Sequence, residues 1–254
     1  DLKGRELELP GGIEAVFVAL HGEFGEDGQI QALLRDRRIP YTGSGPESSR
    51  RSFDKALSKK VFVESGIPTP RFEFLRPGQK RTLPLPVVVK PLRQGSSIGV
   101  HVVFEESDWP GALEESLSHD GEVLVEAFIE GRELTVGVVV DQVLPVIEIR
   151  PAKGFYDYTA KYTSEDTKYI VPAEIPEQAA AECRRLACLT FKALDCKDMG
   201  RVDFRMAPSG ELYVLELNNI PGFTGHSLLP KAARARGIDF PELCDRILRR
   251  ASVH

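Results

Sequence analysis

The stretch Gly200–Gly222, GRVDFRMAPSGELYVLELNNIPG, has the pattern of two short strands joined by a turn at Pro208–Gly210. Successive side chains of a strand point to opposite faces, so the first strand has one apolar face and one polar face. The two sets are Val202, Phe204 and Met206 against Arg201, Asp203 and Arg205. On the second strand Glu216 and Asn218 are two residues apart and share a side. The sequence therefore predicts a hairpin that gathers acidic and amide groups close to Asn218–Gly222, where the chain turns away from the second strand. We call this segment the hairpin exit.

The predicted polar face suits a magnesium ion. Asp203, Glu216 and Asn218 offer only oxygen ligands, which Mg²⁺ prefers and zinc does not. Magnesium usually takes one or two carboxylates and completes its shell with phosphate oxygens, so this site would require a nucleotide nearby. Arg201 on the same face could stabilise a transferring phosphoryl group or an oxyanion. A solvated polar face is the alternative.

A second segment, VVVKPLRQGSSIGV, offers partners for phosphate. Lys90 ends an apolar strand and is followed by the glycine-serine loop Gly95–Gly99. Glycines let backbone N–H groups approach an anion, serines add hydroxyl donors, and a lysine that follows three valines needs an anionic partner. The segment is not a P-loop, because no Gly-Lys-Ser opens a helix. An ordinary turn is the alternative.

Two carboxylates flank the turn at Gly131 in VLVEAFIEGREL. Glu126 and Glu133 stand where they could accept hydrogen bonds from an adenine amino group and a ribose hydroxyl. Solvated loop carboxylates would give the same pattern.

Composition limits the classes of protein. The chain has 254 residues, 42% hydrophobic and 28% charged, which indicates a globular protein with a sizeable core. Its net charge of -5, with Lys and Arg spread along the chain, argues against a nucleic-acid partner. No apolar run approaches the ~20 residues that span a bilayer, and the start lacks a signal-peptide pattern. We therefore expect a cytoplasmic protein without a membrane partner.

The order of elements predicts a mixed α/β fold. A buried strand at Ala15–Gly22, a helix with Ile30, Leu33 and Leu34 at helical spacing, and a second strand near Ile39 suggest a short piece of doubly wound α/β layer. Strands and helices then alternate to the C-terminus. Residues 151–173 have no clean period and predict a long functional loop.

Seven motifs in this order resemble the D-alanine–D-alanine ligases of the ATP-grasp superfamily. They are HGEFGEDG, DK, VVVKP with GSSIGV, VEAFIEGREL, GFYDYTAKY, GRVDF and LELNNIPGFTGHSLLP. The resemblance extends from about Val16 to Leu248. It implies an ATP-grasp fold, in which two α+β lobes hold ATP between them. Along the chain, these lobes would follow a shortened N-terminal doubly wound α/β domain. The implied domains are residues 1–53 (partial substrate domain), 54–124 (central lobe with the glycine-serine lid) and 125–254 (C-terminal lobe).

The resemblance assigns ATP and metal contacts to matching positions. Lys55 and Lys90 would contact the α- and β-phosphates, under a lid formed by Gly95, Ser96 and Ser97. The remaining implied contacts are Glu126, Ala127 and Ile129 for adenine, Glu133 for ribose, Lys161 for the γ-phosphate, and Asp203, Glu216 and Asn218 for two Mg²⁺ ions, with Mn²⁺ as an alternative.

The implied reaction joins two D-alanine molecules through an acyl phosphate, for peptidoglycan precursor synthesis. Arg201 and the backbone N–H of Gly222 would stabilise the oxyanion. The implied substrate contacts are His21 for the first D-alanine and Ser227 and Leu228 for the second, while Ser96 and Tyr162 would join the lid to the long loop. Tyr156 is typical of members that form dipeptides rather than depsipeptides.

Two departures from the family pattern leave alternatives open. The family usually begins with a further strand and helix that carry a glutamate orienting the first substrate, and no counterpart is found in this chain. The hairpin exit has Asn219, and Phe223 directly follows it, where the family usually has Thr and Met. The alternatives are a ligase with another acceptor (D-lactate, D-serine or another amine), or a truncated or inactive ATP-binding homologue. The family is commonly dimeric through its N-terminal region, so the resemblance allows a homodimer.

Overall fold

The computed structural model describes residues 9, 11–140, 142–150 and 167–254. In this part the helices are α1 (Gln29–Asp36), α2 (Pro46–Phe53), α3 (Lys55–Glu64), α4 (Trp109–Asp120), α5 (Glu177–Ala193), α6 (Leu228–Ala235) and α7 (Phe240–Leu248). The strands are β1 (Phe72–Leu75), β2 (Val87–Pro91), β3 (His101–Val103), β4 (Val123–Ala127), β5 (Arg132–Val139), β6 (Gln142–Val143), β7 (Ile147–Arg150), β8 (Lys168–Ile170), β9 (Met199–Met206) and β10 (Leu212–Asn218). None of the helices within these residues is long and apolar enough to cross a membrane.

The first sheet has four antiparallel strands in the order β1-β4-β2-β3. Val87 and Val89 on β2, together with Val123 and Val125 on β4, form a small core with α4. Because side chains alternate along a strand, the residues that alternate with these valines face the opposite side of the sheet. Lys90 and Glu126 are among them, so the charged side chains of β2 and β4 lie on the face away from α4.

The second sheet has six strands, in the order β10-β9-β5-β7-β8 with β6 paired to β5. The apolar set of β9 packs in a core with residues of β5 and α5, among them Val136, Phe204 and Leu186. The opposite face is polar: Thr135 on β5 pairs with Asp203 on β9. The predicted alternation along β9 is therefore confirmed, and it turns the polar residues away from the helix.

The predicted hairpin is formed by β9 and β10. The strands pair antiparallel, and the turn between them contains Gly210 at φ 89°, a left-handed conformation that favours glycine. A register shift between Val214 and Glu216 inserts one extra residue into β10. After this bulge Glu216 lies opposite Asp203, so two carboxylates meet across the hairpin.

The N-terminal segment differs from its prediction. Ala15–Gly22 forms no continuous strand; Val16 makes one parallel bridge with Tyr41. The ladder stops there because the Thr42 hydroxyl, rather than a backbone carbonyl, accepts the N–H of Val18. The predicted helix is confirmed as α1, and this region packs in one core with α6 and α7.

One predicted domain boundary falls between two helices, and the other falls inside a strand. The boundary after residue 53 lies between α2 and α3, at Asp54. The boundary after residue 124 falls within β4, and the chain passes from the first sheet to the second only after Ala127. The division into three domains stays a prediction.

Asp54 caps the helix that carries Lys55. Its Oδ1 accepts hydrogen bonds from the N–H groups of Ala56 (2.9 Å) and Leu57 (3.2 Å). We expect Asp54→Ala to lower the free energy of unfolding by about 1 kcal/mol, because these N–H groups lose their acceptor. Asp54→Asn keeps an acceptor and should retain most of that stability. Urea denaturation of both variants checks this, and equal losses in both would contradict the capping role.

Candidate functional site

A cleft of about 440 Å³ opens between the N-terminal segment, the glycine-serine loop and the hairpin exit. A smaller cavity of about 60 Å³ adjoins it beneath the same loop. The predicted residues on the large cleft are His21, Lys55, Gly95, Ser96, Arg201, Glu216, Asn218, Gly222, Ser227 and Leu228. The small cavity is lined by Lys90, Ser97, Glu133 and Asp203, and also by Lys55, Gly95, Ser96 and Glu216. The fold thus brings together most of the predicted site from five separate parts of the sequence.

Lys55 connects the hairpin to the glycine-serine loop. Its Nζ donates to the carbonyl of Gln94 at 2.7 Å and lies 3.9 Å from Glu216 Oε2. Burial lowers the pKa of Lys55, and the neighbouring Glu216 only partly opposes that effect. A buried ammonium that lies 3.9 Å from a carboxylate, too far for a hydrogen bond, is suited to receive an anionic ligand.

The glycine-serine loop adopts a tight and unusual backbone. Ser96 and Ser97 both have positive φ angles, 54° and 60°, and Gly99 has φ 66°. The N–H groups of Ile98 and Val100 donate to the carbonyls of Gly95 (3.1 Å) and Ser97 (3.3 Å), so the loop consists of tight turns. Turns of this kind can form anion-binding concavities. Gly95 also lies close to Glu26, since a Cβ built on it would be 3.4 Å from Oε2.

The hairpin carboxylates are held by specific partners. Arg201 donates from Nε and a terminal nitrogen to the two oxygens of Asp203, at 2.9 and 2.8 Å. The Thr135 hydroxyl donates to Asp203 Oδ1 at 2.6 Å. Asn218 Oδ1 accepts the N–H of Ile220 at 3.0 Å, which fixes the amide at the hairpin exit. Glu216 is partly exposed to the cleft.

This donor set fits a hard cation. Asp203 and Glu216 lie opposite each other, and Asn218 follows on the same strand. All three offer oxygen, which is the ligand type that Mg²⁺ prefers. Because the set has two carboxylates and one amide, it is not a cluster of three His, Cys, Asp or Glu, and the described ranges contain no such cluster that could hold a metal ion. A cation here would complete its shell with ligand oxygens.

The structure reveals a buried carboxylate that the sequence-based reasoning missed. Glu26 lines the cleft, and its Oε2 accepts the N–H of Gly22 at 2.5 Å. Burial raises the pKa of Glu26 to about 7, and the nearby Glu216 carboxylate adds to the effect. The missed signal is the motif HGEFGEDG, whose glycines bend the chain so that Glu26 turns back over its own loop.

Glu126 is more deeply buried than its predicted contact with adenine suggests. Its side chain is 1% exposed, and its two oxygens lie 2.5 Å from Lys59 Nζ and 2.5 Å from Lys90 Nζ. Although burial alone would raise the pKa of Glu126, the two ammonium groups lower it. Burial alone would lower the pKa of Lys90, but the surrounding carboxylates, with Glu126 foremost, together raise it.

The predicted ribose contact, Glu133, forms an ion pair with Arg205. One guanidinium nitrogen of Arg205 lies 3.5 Å from Glu133 Oε2, and Nε donates to the carbonyl of Ile129 at 3.0 Å. Arg205 therefore links two of the positions predicted for the nucleoside. Tyr156, Lys161 and Tyr162 lie outside the described residues, and their roles stay predictions.

The acceptor side of the cleft is formed by the start of α6. Ser227 occupies the N-cap position of this helix, but its hydroxyl accepts the N–H of Thr224 (3.1 Å) rather than an N–H of the helix. A Cβ on Gly222 would lie 3.1 Å from the Ser227 hydroxyl, so only glycine fits there without displacement. Phe223 lines this end of the cleft, and its ring packs at a tilt against the ring of Phe17, with the two centroids 5.0 Å apart.

Two family models match this chain. The D-ala D-ala ligase C-terminus matches residues 61–249, and the D-ala D-ala ligase N-terminus matches residues 2–44. The chain belongs to the D-alanine–D-alanine ligase family. Its fold is accordingly the ATP-grasp fold of that family.

Individual relatives agree with this assignment. The D-alanine–D-alanine ligase of Syntrophotalea carbinolica is 49% identical over 245 residues, which cover 95% of this chain and 80% of the relative. The one from Methylacidiphilum infernorum is 45% identical, covering 98% and 82%. The Bacillus anthracis ligase crystallised with ATP superposes with a TM-score of 0.82 at 34% identity, covering 93% of this chain and 78% of that one. The VanG D-Ala:D-Ser ligase of Enterococcus faecalis has a TM-score of 0.84 at 35% identity, covering 93% and 72%.

Glu26 should make stability depend on pH. A buried carboxyl with a pKa of about 7, against an ordinary 4.5, is protonated more readily in the folded than in the unfolded state. Its penalty is absent below pH 4.5 and complete above pH 7, where it amounts to about 3 kcal/mol. We therefore expect Glu26→Gln to match the unchanged protein at pH 4.5 and to exceed it in stability at pH 8.

Urea denaturation at both pH values, with a chelator present, measures this difference. Glu23→Gln removes the same charge from an exposed position in the same loop, and its difference from the unchanged protein should not grow with pH. If the difference in stability between Glu26→Gln and the unchanged protein is the same at both pH values, the folded protein does not raise the pKa of Glu26.

Proposed function

We propose that this protein joins two D-alanine molecules to D-alanyl-D-alanine, with cleavage of ATP to ADP and phosphate. One observation carries the proposal: in a chain of this family, buried lysines, a positive-φ glycine-serine loop and an all-oxygen donor set converge on a single cleft. Lysines and backbone N–H groups bind phosphates, and paired carboxylates hold the cations that accompany them. The product is the dipeptide of peptidoglycan precursors.

ATP would lie between the two sheets. Lys55 and Lys90 would neutralise the α- and β-phosphates, and the glycine-serine loop would cover them from the side of the first sheet. Ala127, Ile129 and Glu126 would receive adenine, and Glu133 the ribose. The Bacillus anthracis relative was crystallised in complex with ATP, which supports ATP as the nucleotide.

Asp203, Glu216 and Asn218 would hold two Mg²⁺ ions, or Mn²⁺ in their place. Such ions supply charge neutralisation on the phosphate oxygens when the phosphoryl group is transferred. Arg201, which pairs with Asp203 in the structure, is close enough to exchange that carboxylate for a developing oxyanion.

The chemistry requires two nucleophilic attacks in one cleft. The carboxylate of the first D-alanine, near His21, attacks the γ-phosphorus and forms an acyl phosphate and ADP. The amine of the second, held through its carboxylate near Ser227 and Leu228, attacks the acyl carbon; the tetrahedral centre then expels phosphate. Arg201 and the N–H of Gly222 would stabilise the negative oxygen of that centre. Ser96, Tyr156, Lys161 and Tyr162 keep the roles that the resemblance implies.

The remaining parts of the proposal concern the surroundings of the reaction. ATP and D-alanine are small soluble substrates, which supports action in the cytoplasm. A homodimer is proposed on the resemblance alone.

The function is tested by ADP release in the presence of Mg²⁺. ADP should form only when D-alanine is present, and mass spectrometry should identify D-alanyl-D-alanine as the product. Competition with D-serine and D-lactate, each mixed with D-alanine, should leave the dipeptide as the main product at neutral pH. Absence of turnover with every D-amino acid, or preference for another acceptor, would refute the proposal.

Glu216 provides a test of the metal site. We expect Glu216→Gln to raise the Mg²⁺ concentration for half-maximal rate by at least ~10-fold, since it removes one anionic oxygen ligand. Glu211→Gln, at an exposed position just before β10, should behave like the unchanged protein. Titration of Mg²⁺ at saturating ATP measures both variants, and the same midpoint for Glu216→Gln would remove Glu216 from the metal site.

A further inference from the structure

Lys59 is a charged residue that the proposed reaction leaves without a role. It lies on α3, four residues after Lys55, and its side chain is 1% exposed. It does not line the large cleft or the small cavity. A lysine is almost never buried in this way unless it is paired, because removing an ammonium group from water is costly.

Two contacts hold the Lys59 ammonium. Its Nζ lies 2.5 Å from Glu126 Oε1, and it also donates to the hydroxyl of Thr69. Thr69 in turn donates to the carbonyl of Val214 on β10, at 2.7 Å. Lys59 therefore sits at the junction where α3 meets both sheets, directly behind the proposed nucleotide site.

Glu126 is shared between two lysines. Lys59 occupies Oε1 and Lys90 lies 2.5 Å from Oε2. We call Lys59, Glu126 and Lys90 the buried triad; it carries two positive charges and one negative charge. Of the three, Lys90 alone lines the small cavity beneath the glycine-serine loop. The excess positive charge is thus directed toward the cavity in which phosphates would lie.

We propose that Lys59 is a positioning residue for ATP: by pairing with one oxygen of Glu126, it keeps Lys90 available to phosphate. This inference rests on the proposed function, because it requires ATP between the two sheets. Without Lys59, the Glu126 carboxylate would pair with Lys90 alone and cancel its charge. The same carboxylate, left buried and half-paired, would also lose its fixed orientation toward the adenine position.

The geometry distinguishes this role from simple structural support. A lysine that only stabilised the junction would be dispensable to ATP once its lost stability is restored. A lysine that neutralises Glu126 becomes unnecessary for ATP binding when Glu126 itself is made neutral. Charge removal at Lys59 and at Glu126 should therefore compensate each other in ATP affinity, as coupled residues do in a double-mutant cycle.

The test compares Lys59→Met, Glu126→Gln and the double variant. Calorimetry with a non-hydrolysable ATP analogue and Mg²⁺ measures affinity without any turnover, so the inference can fail independently of the proposed reaction. We expect Lys59→Met to weaken binding by at least about tenfold, since the Glu126 carboxylate then cancels the charge of the phosphate-binding Lys90. In steady-state assays the KM for ATP should rise much more than kcat falls.

The double variant gives the decisive result. Lys59→Met with Glu126→Gln should bind the analogue within about threefold of Glu126→Gln alone, because Lys59 has no carboxylate left to neutralise once Glu126 is uncharged. Using Glu126→Gln as the reference removes whatever that change costs at adenine. If Lys59→Met alone does not fold, this comparison still tests the inference. Lys60→Met, one residue along α3 with an exposed side chain, should bind the analogue normally. A double variant that binds about tenfold more weakly than Glu126→Gln alone, or normal binding by Lys59→Met, would overturn the inference.

Discussion

The alternation of side chains along β2, β4, β5 and β9 is the constraint on which the rest of the site depends. On each of these strands every second residue is apolar and packs against a helix, α4 under one sheet and α5 under the other. Burial of these apolar faces fixes the register, because a slip of one residue would expose the whole set. The residues in between are then forced onto the opposite faces, where the charged groups collect.

The consequence is a site whose charges are fixed by strands rather than by loops. Thr135 meets Asp203 because β5 pairs with β9, and Glu216 meets Asp203 because a bulge in β10 moves it into register. Lys90 is placed by the same alternation on the first sheet. The glycine-serine loop, the N-terminal segment and the hairpin exit reach the cleft from irregular backbone, and the first two contain positive-φ residues, Gly22 among them. A fixed set of charges lowers the reorganisation needed when phosphates bind.

The local parts of this arrangement could be predicted from the sequence, and the long-range parts could not. The period of two in Gly200–Gly222 contains enough information to predict the hairpin and the side that each residue takes. The failure at Ala15–Gly22 has a different origin, because an apolar run indicates burial but does not indicate whether a partner strand continues beside it. Glu26 was missed because its raised pKa comes from burial and from Glu216, which is far away in the chain. Lys59 appears in the sequence as one of three lysines on α3, and only the fold brings it to Glu126.

The central claim is that one D-alanine carboxylate attacks ATP in this cleft before the peptide bond forms. That order can be detected in the released phosphate. The carboxylate oxygen that attacks ATP stays on phosphorus when the amine of the second D-alanine cleaves the acyl phosphate. The most direct test is turnover with D-alanine labelled with ¹⁸O in its carboxylate, followed by mass spectrometry of the released phosphate. The account predicts one ¹⁸O atom in each phosphate formed together with D-alanyl-D-alanine. Unlabelled phosphate accompanying the same dipeptide would contradict it.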